Sequence, residues 1–340
     1  MSAVAENAVN SINALVARRW QEADPLLPEP LLPPPGCDAP LIVAGPGAQP
    51  AAIGSCVHWA RTADSLDVAW GAARRFQLTA TVAGPDVRDA LDQLLSQWRD
   101  HLAGTSGASD DDSAAIVNWP SRDIEGVETL VRHGLSPLAV LAARATGRHP
   151  SGPVDRPAAR PAGRPASEAD PAGMARQGIT IRRAGPADLE AVVRLGLEVI
   201  RFDAYFGNGG ERPGTVNALR KEVARLRDAP LPWTWLAERD REPVGLLAAQ
   251  PPRAADWIAP MVRPTPAAYV MLMFVQPGER GSGVGADLVA RLHREIDAAG
   301  VPVTLLHYQT LNPLSAPFWH QQGYRPLWVT WEATPARSIR

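Results

Sequence analysis

Lysine is nearly missing from this sequence: Lys221 is the only one, and arginine stands almost everywhere else that a basic side chain occurs. That bias is what a GC-rich coding sequence produces, so clusters of arginine carry little functional information by themselves. Cysteine is scarce too, with only Cys37 and Cys56. Two cysteines make neither a disulfide framework nor a metal-ligand spacing, so a reduced, cytoplasmic protein without a metal is expected. Excess charge of one sign is absent, the net charge being -2, which removes any general attraction to nucleic acid or to an anionic membrane. No apolar run approaches the roughly 20 residues a membrane helix needs. The opening stretch "MSAVAENAVNSINALVARRW" has no basic segment followed by an apolar one, so it does not read as a signal peptide.

What is present is enough for two domains. The chain has 340 residues, of which 45% are apolar and 21% charged, as in ordinary globular proteins. Composition breaks at residues 149–178, where proline, alanine, glycine and arginine dominate and apolar periodicity disappears. Such a segment buries no core and reads as a disordered linker. It divides residues 1–148 from residues 179–335. The halves look duplicated. "AAIVNWPSRDIEGVETLVRHGLSPLAVLAAR" (114–144) aligns with "VTLLHYQTLNPLSAPFWHQQGYRPLWVTWEA" (303–333), matching Gly134 to Gly323 and Pro137-Leu138 to Pro326-Leu327.

The second half alternates strand and helix signals. "AAYVMLMFV" is apolar on both faces, as a central strand would be. "GVGADLVARLHREIDAAG" has helical periodicity, and Gly300 suits its end. Thr215 suits the start of a helix over "TVNALRKEVARLRDA". The order β-α-α-β-β-β-α-β-α-β predicts an α/β fold, a mixed sheet with helices on both faces.

Between the central strand and the helix lies "VQPGERGSGVGADLVARL" (275–292). Glycines allow positive φ and close approach, so successive N–H groups can face one concavity. A helix N-terminus adds its positive dipole end, and such a site suits a diphosphate. Gly281, Gly283 and Ala286 formally satisfy the dinucleotide pattern G-x-G-x-x-A. That pattern belongs directly after the first strand of its domain, with an acidic residue ending the next one. Here the loop comes late, and the following strand ends in His307, Tyr308 and Gln309.

The stretch Arg280-Gly281-Ser282-Gly283-Val284-Gly285 resembles the [Q/R]-x-x-G-x-[G/A] loop of the GNAT (Gcn5-related) N-acetyltransferases. "NPLSAPFWHQQGY" is similar to that family's second motif through Asn312, Ser315, Gly323 and Tyr324. The resemblance covers about 179–335; residues 1–148 resemble a degenerate copy. It implies two GNAT-like domains, each a mixed central β-sheet flanked by helices, in a tandem arrangement. It also implies an acyl-CoA-dependent N-acyltransferase using acetyl-CoA and a small-molecule amine acceptor. A non-catalytic acyl-CoA-binding sensor or scaffold is the alternative.

By the same resemblance, backbone amides from Arg280 through Gly281, Ser282, Gly283, Val284, Gly285 and Ala286 would hold the diphosphate. Phe274 and Val275 would present main-chain groups to the pantetheine arm, and Asn312 would bond the arm. The family's central strand would carry a bulge and splay from its neighbour. Where the family has an acidic tyrosine, this chain has Trp319, and indole is no acid. Substitutes nearby are His307, Tyr308, His320 and Tyr324, of which the first two are favoured. Neighbours on a strand face opposite ways, so one of the two is expected to point into the slot. Asp203 or Glu211, in the acceptor region "RFDAYFGNGGERPGT", would bind or deprotonate the amine. Phe202, Tyr205, Phe206, Trp233 and Trp235 would line a pocket or the core. In the first half, "VAGPDVRDA" keeps one glycine and carries Asp86 and Asp89, which would repel a diphosphate. That half is expected to shape the acceptor cleft without binding coenzyme A.

Overall fold

A computed structural model describes residues 3–30, 40–45, 50–83, 86–147, 178–207, 209–227 and 232–340. The linker read at 149–178 lies outside these residues except for Gly178, and Cys37 lies outside them too. The first half runs α1 (Ala3–Ala23), β1 (Leu41–Ala44), β2 (Pro50–Ala60), β3 (Arg74–Val82), α2 (Val87–Ala103), β4 (Ser113–Pro120), α3 (Val127–Arg132) and β5 (Ser136–Ala145). The second runs β6 (Ile179–Arg183), α4 (Leu189–Asp203), α5 (Thr215–Arg227), β7 (Trp233–Arg239), β8 (Glu242–Gln250), β9 (Ala267–Val275), α6 (Val284–Ala298), β10 (Val303–Gln309), α7 (Ser315–Gln321) and β11 (Arg325–Ala333). Among the described residues no helix is long and apolar enough to cross a membrane.

The local signals behave as their chemistry requires. Helix α6 buries Leu288, Leu292 and Ile296 along one stripe. The β7–β8 hairpin turns through Asp240 and Arg241, both at positive φ, which matches the right-handed twist of the strands. Gly134 and Gly323 end α3 and α7 at φ +83° and +86°, so the matched glycines do the same conformational job in both halves. Thr215 departs from the expectation: its hydroxyl accepts the N–H of Arg212 at 2.8 Å, reaching back rather than capping the turn ahead.

The two half-sheets are one sheet. Eleven strands run in the order β1-β2-β3-β4-β11-β5-β10-β9-β8-β7-β6. The last strand of each half has crossed into the other: β11 lies antiparallel between β4 and β5, and β5 lies antiparallel between β11 and β10. The cores follow the strands. Trp331, Ala333 and Ile339 bury in the first half's core with Leu91, Leu94 and Trp98. Val140 and Ala142 bury in the second half's core with Leu288 and Leu306. The sequence reading keeps each sheet within its own half, because strand signals are local while the choice of partner is not.

A second seam joins the halves beside the site. The loop between α4 and α5 lies against residues 63–71 of the first half, with the N–H of Gly210 on Ala69 O at 3.0 Å. A Cβ on Gly209 would lie 2.3 Å from Ala69 O, and one on Gly214 would lie 2.5 Å from Asp64 Cα. These glycines are therefore required by backbone-to-backbone approach. Arg212 closes the seam, with Nε on Val68 O at 2.9 Å and Nη2 on Gly71 O at 3.2 Å, and an ion pair to Asp112.

Candidate active site

Strands β9 and β10 are parallel and paired only from Val303↔Ala267 to Leu306↔Val270. Beyond that point they diverge, although β9 continues to Val275 and β10 to Gln309. The other edge of β9 has a register shift against β8: Leu272 faces Ala248 while Val270 faces Ala249. Met271 is thus the extra residue of a β-bulge, which bends the strand and opens its edge. The bulge and splay expected from the resemblance are both present.

The gap opens into one cavity of about 1230 Å³. The glycine loop forms one wall of it. Gly281 and Gly283 sit at φ +80° and +96°, a conformation that side chains with a Cβ resist. A Cβ on Gly285 would come within 3.1 Å of the Phe318 ring. The first helical hydrogen bond runs from Asp287 N–H to Gly283 O at 3.0 Å. The amides of Val284, Gly285 and Ala286 thus have no acceptor within the helix. Arg280 stands at the rim, its guanidinium 5.1 Å from the Phe202 ring centre and its Nε donating to Val275 O at 3.0 Å. Phe274, Val275, Arg280, Gly281, Gly283, Gly285, Ala286 and Asn312 all line the cavity. Ser282 instead turns its hydroxyl onto Glu279 O at 2.7 Å, and the Val284 side chain is buried beneath the loop.

His307 and Tyr308 point to opposite faces of the sheet. His307 lies on the side of α4 and α5, where Tyr269 Oη is 3.0 Å from its Nδ1. Trp257 stacks edge-on against Tyr269, with ring centres 5.0 Å apart. The imidazole has surface open to the cavity yet lies deep in the protein, and loss of hydration pushes its pKa down to about 4. It is neutral at ordinary pH. The same desolvation, with the Asp203 charge adding to it, raises the Tyr269 phenol well above its usual value. Tyr308 faces α6 and α7, is buried against Trp319 and Tyr324, and places its hydroxyl 3.3 Å from His320 Nε2. Tyr324 is core, with His293 Nε2 at 3.3 Å from its hydroxyl.

Asp203 ends α4 inside the cavity wall. Burial raises its carboxyl from 3.8 to about 6, and a 3.4 Å hydrogen bond from Asn312 Nδ2 opposes the rise only in part. Glu211 is occupied elsewhere, in an ion pair with Arg201 at 2.8 Å. Phe202, Tyr205 and Phe206 form one aromatic cluster at the end of α4. Trp233 and Trp235 belong to the core.

The first half supplies much of the opposite wall, through Arg61, Asp64, Asp67, Trp70 and Arg75. None of these residues, and not Tyr269, carries a signal in the sequence reading. Arg61, Asp64, Asp67 and Trp70 come from the connection between β2 and β3 and Arg75 from the start of β3, and the packing of that connection on α4 and α5 brings them to the cavity, whereas Tyr269 lies on β9 itself. The matching loop of the first half is used differently. Asp86 caps α2, its side chain accepting Asp89 N–H at 3.0 Å. The place of Tyr308 is held by Trp119, whose Nε1 donates to Asp123 O at 2.8 Å.

Comparison with known proteins agrees with this geometry. Residues 201–324 match the profile of the acetyltransferase (GNAT) family. A GCN5-related N-acetyltransferase from Sphaerobacter thermophilus superposes with a TM-score of 0.55 at 16% identity, covering 95% of this chain and 91% of that one. This shows the fold. Two further solved structures are a GCN5-related N-acetyltransferase from Kribbella flavida (15% identity, TM-score 0.39, coverage 86% and 88%) and a tandem GNAT protein from the clavulanic acid biosynthesis pathway (12%, 0.44, coverage 97% and 95%). No curated protein matches the chain. The glycine loop, the bulged and splayed central strand and the profile match fall on the same residues, so the stretch 201–324 matches the acetyltransferase (GNAT) family in profile and in geometry.

Proposed function

We propose that this protein transfers an acetyl group from acetyl-CoA to the amine of a small molecule, within the cavity between β9 and β10. The observation that carries this reading is the opening of a positive-φ glycine loop, at a helix N-terminus, into the same cavity as the splayed strand edges. The amides of Gly281 through Ala286 would hold the diphosphate, with Arg280 adding charge at the rim. The unpaired edge of β9 near Phe274 and Val275 would bond the pantetheine arm. One of those amides would stabilise negative charge on the thioester oxygen during attack.

The remaining work is positioning and proton transfer. The amine nitrogen forms a bond to the thioester carbon, the carbon–sulfur bond breaks, and sulfur leaves as a thiolate. Asp203, with its carboxyl near pH 6, would take the proton the amine loses. The Tyr269–His307 pair would hydrogen-bond the departing thiolate, in place of the tyrosine that Trp319 replaces, and the sulfur would then take its proton from solvent, to which Asp203 returns the one it accepted. His307 neutral suits this role, since Nδ1 can share the phenolic hydrogen while Nε2–H faces the cavity. The first half would close the acceptor end and bind no coenzyme A of its own.

The test is calorimetry with acetyl-CoA followed by thiol release over a panel of amines. One site per chain and turnover of at least one amine are expected. Absence of heat from acetyl-CoA and from CoA refutes the proposal, and binding without any turnover converts it to a sensor.

A further inference from the structure

The charged groups of the acceptor wall are unequally occupied. Asp67 is held by Arg61 at 3.0 Å. Glu222 is held by Arg225 and by Gln250 Nε2 at 3.0 Å. Asp64 accepts from the Thr62 hydroxyl, and Glu332 from that of Thr334 at 3.1 Å. Two cations in the same wall are not matched in this way. Arg75, on the first half, donates Nε to Ala72 O at 2.9 Å and Nη2 to Asp67 O at 2.8 Å, both backbone carbonyls. Among the described residues it has no carboxylate partner. Burial lowers its pKa despite the fields of Asp67 and Glu332, so it is a cation held in place without a counter-ion in contact. Lys221, on α5 of the second half, is exposed to the cavity and has no hydrogen-bond or ion-pair partner among the described residues, with Asp64 acting on it only at a distance.

A guanidinium that spends Nε and Nη2 on main-chain carbonyls still has donors to offer, and Arg75 lines the cavity. It cannot relax toward a partner, and it costs free energy to bury unless an anion completes it. The position is built with care: a Cβ on Gly71 would approach Arg75 Nη2 at 3.0 Å. The two cations come from different halves and meet at one cavity only because the loop between α4 and α5 is docked on residues 63–71. Asp203 lines the same cavity, and it is the carboxylate assigned above to receive the amine.

We infer that the acceptor is an amine that also bears a carboxylate, an amino-acid-like molecule whose anionic end is held by Arg75 and Lys221 while its amine faces Asp203. This rests on the acyltransfer reading given above. It makes the first half a specificity element that reads the acceptor while the second half holds the thioester.

The experiment compares, with acetyl-CoA saturating, thiol release for each common amino acid and for the amine left when its α-carboxylate is removed. Amino acids, or one group of them, should be preferred by tenfold or more in kcat/KM, since a charged hydrogen bond contributes about that factor. Lys221→Gln should raise KM for the preferred amino acid about tenfold. It should leave kcat near wild type, leave acetyl-CoA affinity unchanged by calorimetry, and shrink the preference over the decarboxylated partner. Arg75→Lys, which keeps the charge but loses the fork, should fall between wild type and Arg75→Gln. Equal or better turnover of the decarboxylated amines overturns the inference, as does an unchanged KM in Lys221→Gln. So does failure to turn over any carboxylate-bearing amine while acetyl-CoA still binds. Loss of acetyl-CoA binding by the wild-type protein would instead refute acyltransfer itself.

Discussion

Replacing Asp203 with Asn should make the protein more stable and less active at once. The carboxyl is moved from 3.8 to about 6 by burial. In the unfolded chain it loses its proton near pH 4, whereas the folded protein holds the proton until near pH 6. Folding is therefore assisted by Asp203 least at neutral pH: stability falls as pH rises between those values, then stays level. The full interval corresponds to about 3 kcal/mol at neutral pH, and the part of the carboxylate that still meets solvent reduces this to about 2 kcal/mol. Asn keeps the shape, removes the charge, and can still accept from Asn312 through its amide oxygen. Thermal melts of both proteins at pH 4, 5.5 and 7.5 measure this. The melting temperatures should nearly coincide at pH 4, and the variant should lead by a few degrees at pH 7.5. In the same preparations the wild-type kcat/KM should rise with pH through about 6, and the variant should lose that rise together with tenfold or more of its rate. A variant that melts lower than wild type at pH 7.5, or that keeps the wild-type pH profile, refutes the assignment of a desolvated base.

Gly283→Val forces a β-branched residue into left-handed φ and sets side-chain atoms where the loop amides converge. It should cost about 1–2 kcal/mol of stability and abolish detectable acetyl-CoA binding by calorimetry. Tyr269→Phe removes the hydroxyl that meets His307 Nδ1 and should lower kcat severalfold or more while leaving acetyl-CoA affinity intact; equal loss of both would mark it as structural. Gly209→Ala drives a methyl into Ala69 O and should destabilise by about 1–3 kcal/mol, raising the acceptor KM more than that for acetyl-CoA. Trp331→Ala, although in the second half by sequence, should cost about 3–5 kcal/mol through the core of the first half, seen as a lowered urea midpoint.

Features that depend on near neighbours are legible in the residues alone. Glycines at 281 and 283 announce positive φ because a residue without a Cβ adopts it at least cost. The apolar run of β9 announces a central strand, the stripe of α6 a helix packed on it, and the two motifs together the GNAT resemblance. The placement of His307 and Tyr308 on opposite faces follows from strand alternation alone. Features that depend on distant chain come only from the assembled fold. Nothing in β5 or β11 marks them for exchange, since each is a largely apolar strand, buried over much of its length, that fits a sheet in either half. Tyr269 meets His307 only across two parallel strands just before they part, and the Asp203 carboxyl, already a candidate from its place in the acceptor region, is raised to about 6 only because packing strips its water. The acceptor wall is the clearest case. Arg75 and Lys221 lie in unrelated segments, and they face one cavity because glycines at 209 and 214 let two backbones touch. Conformational preference is written in a few adjacent residues, whereas desolvation and pairing are properties of what the finished fold places around them.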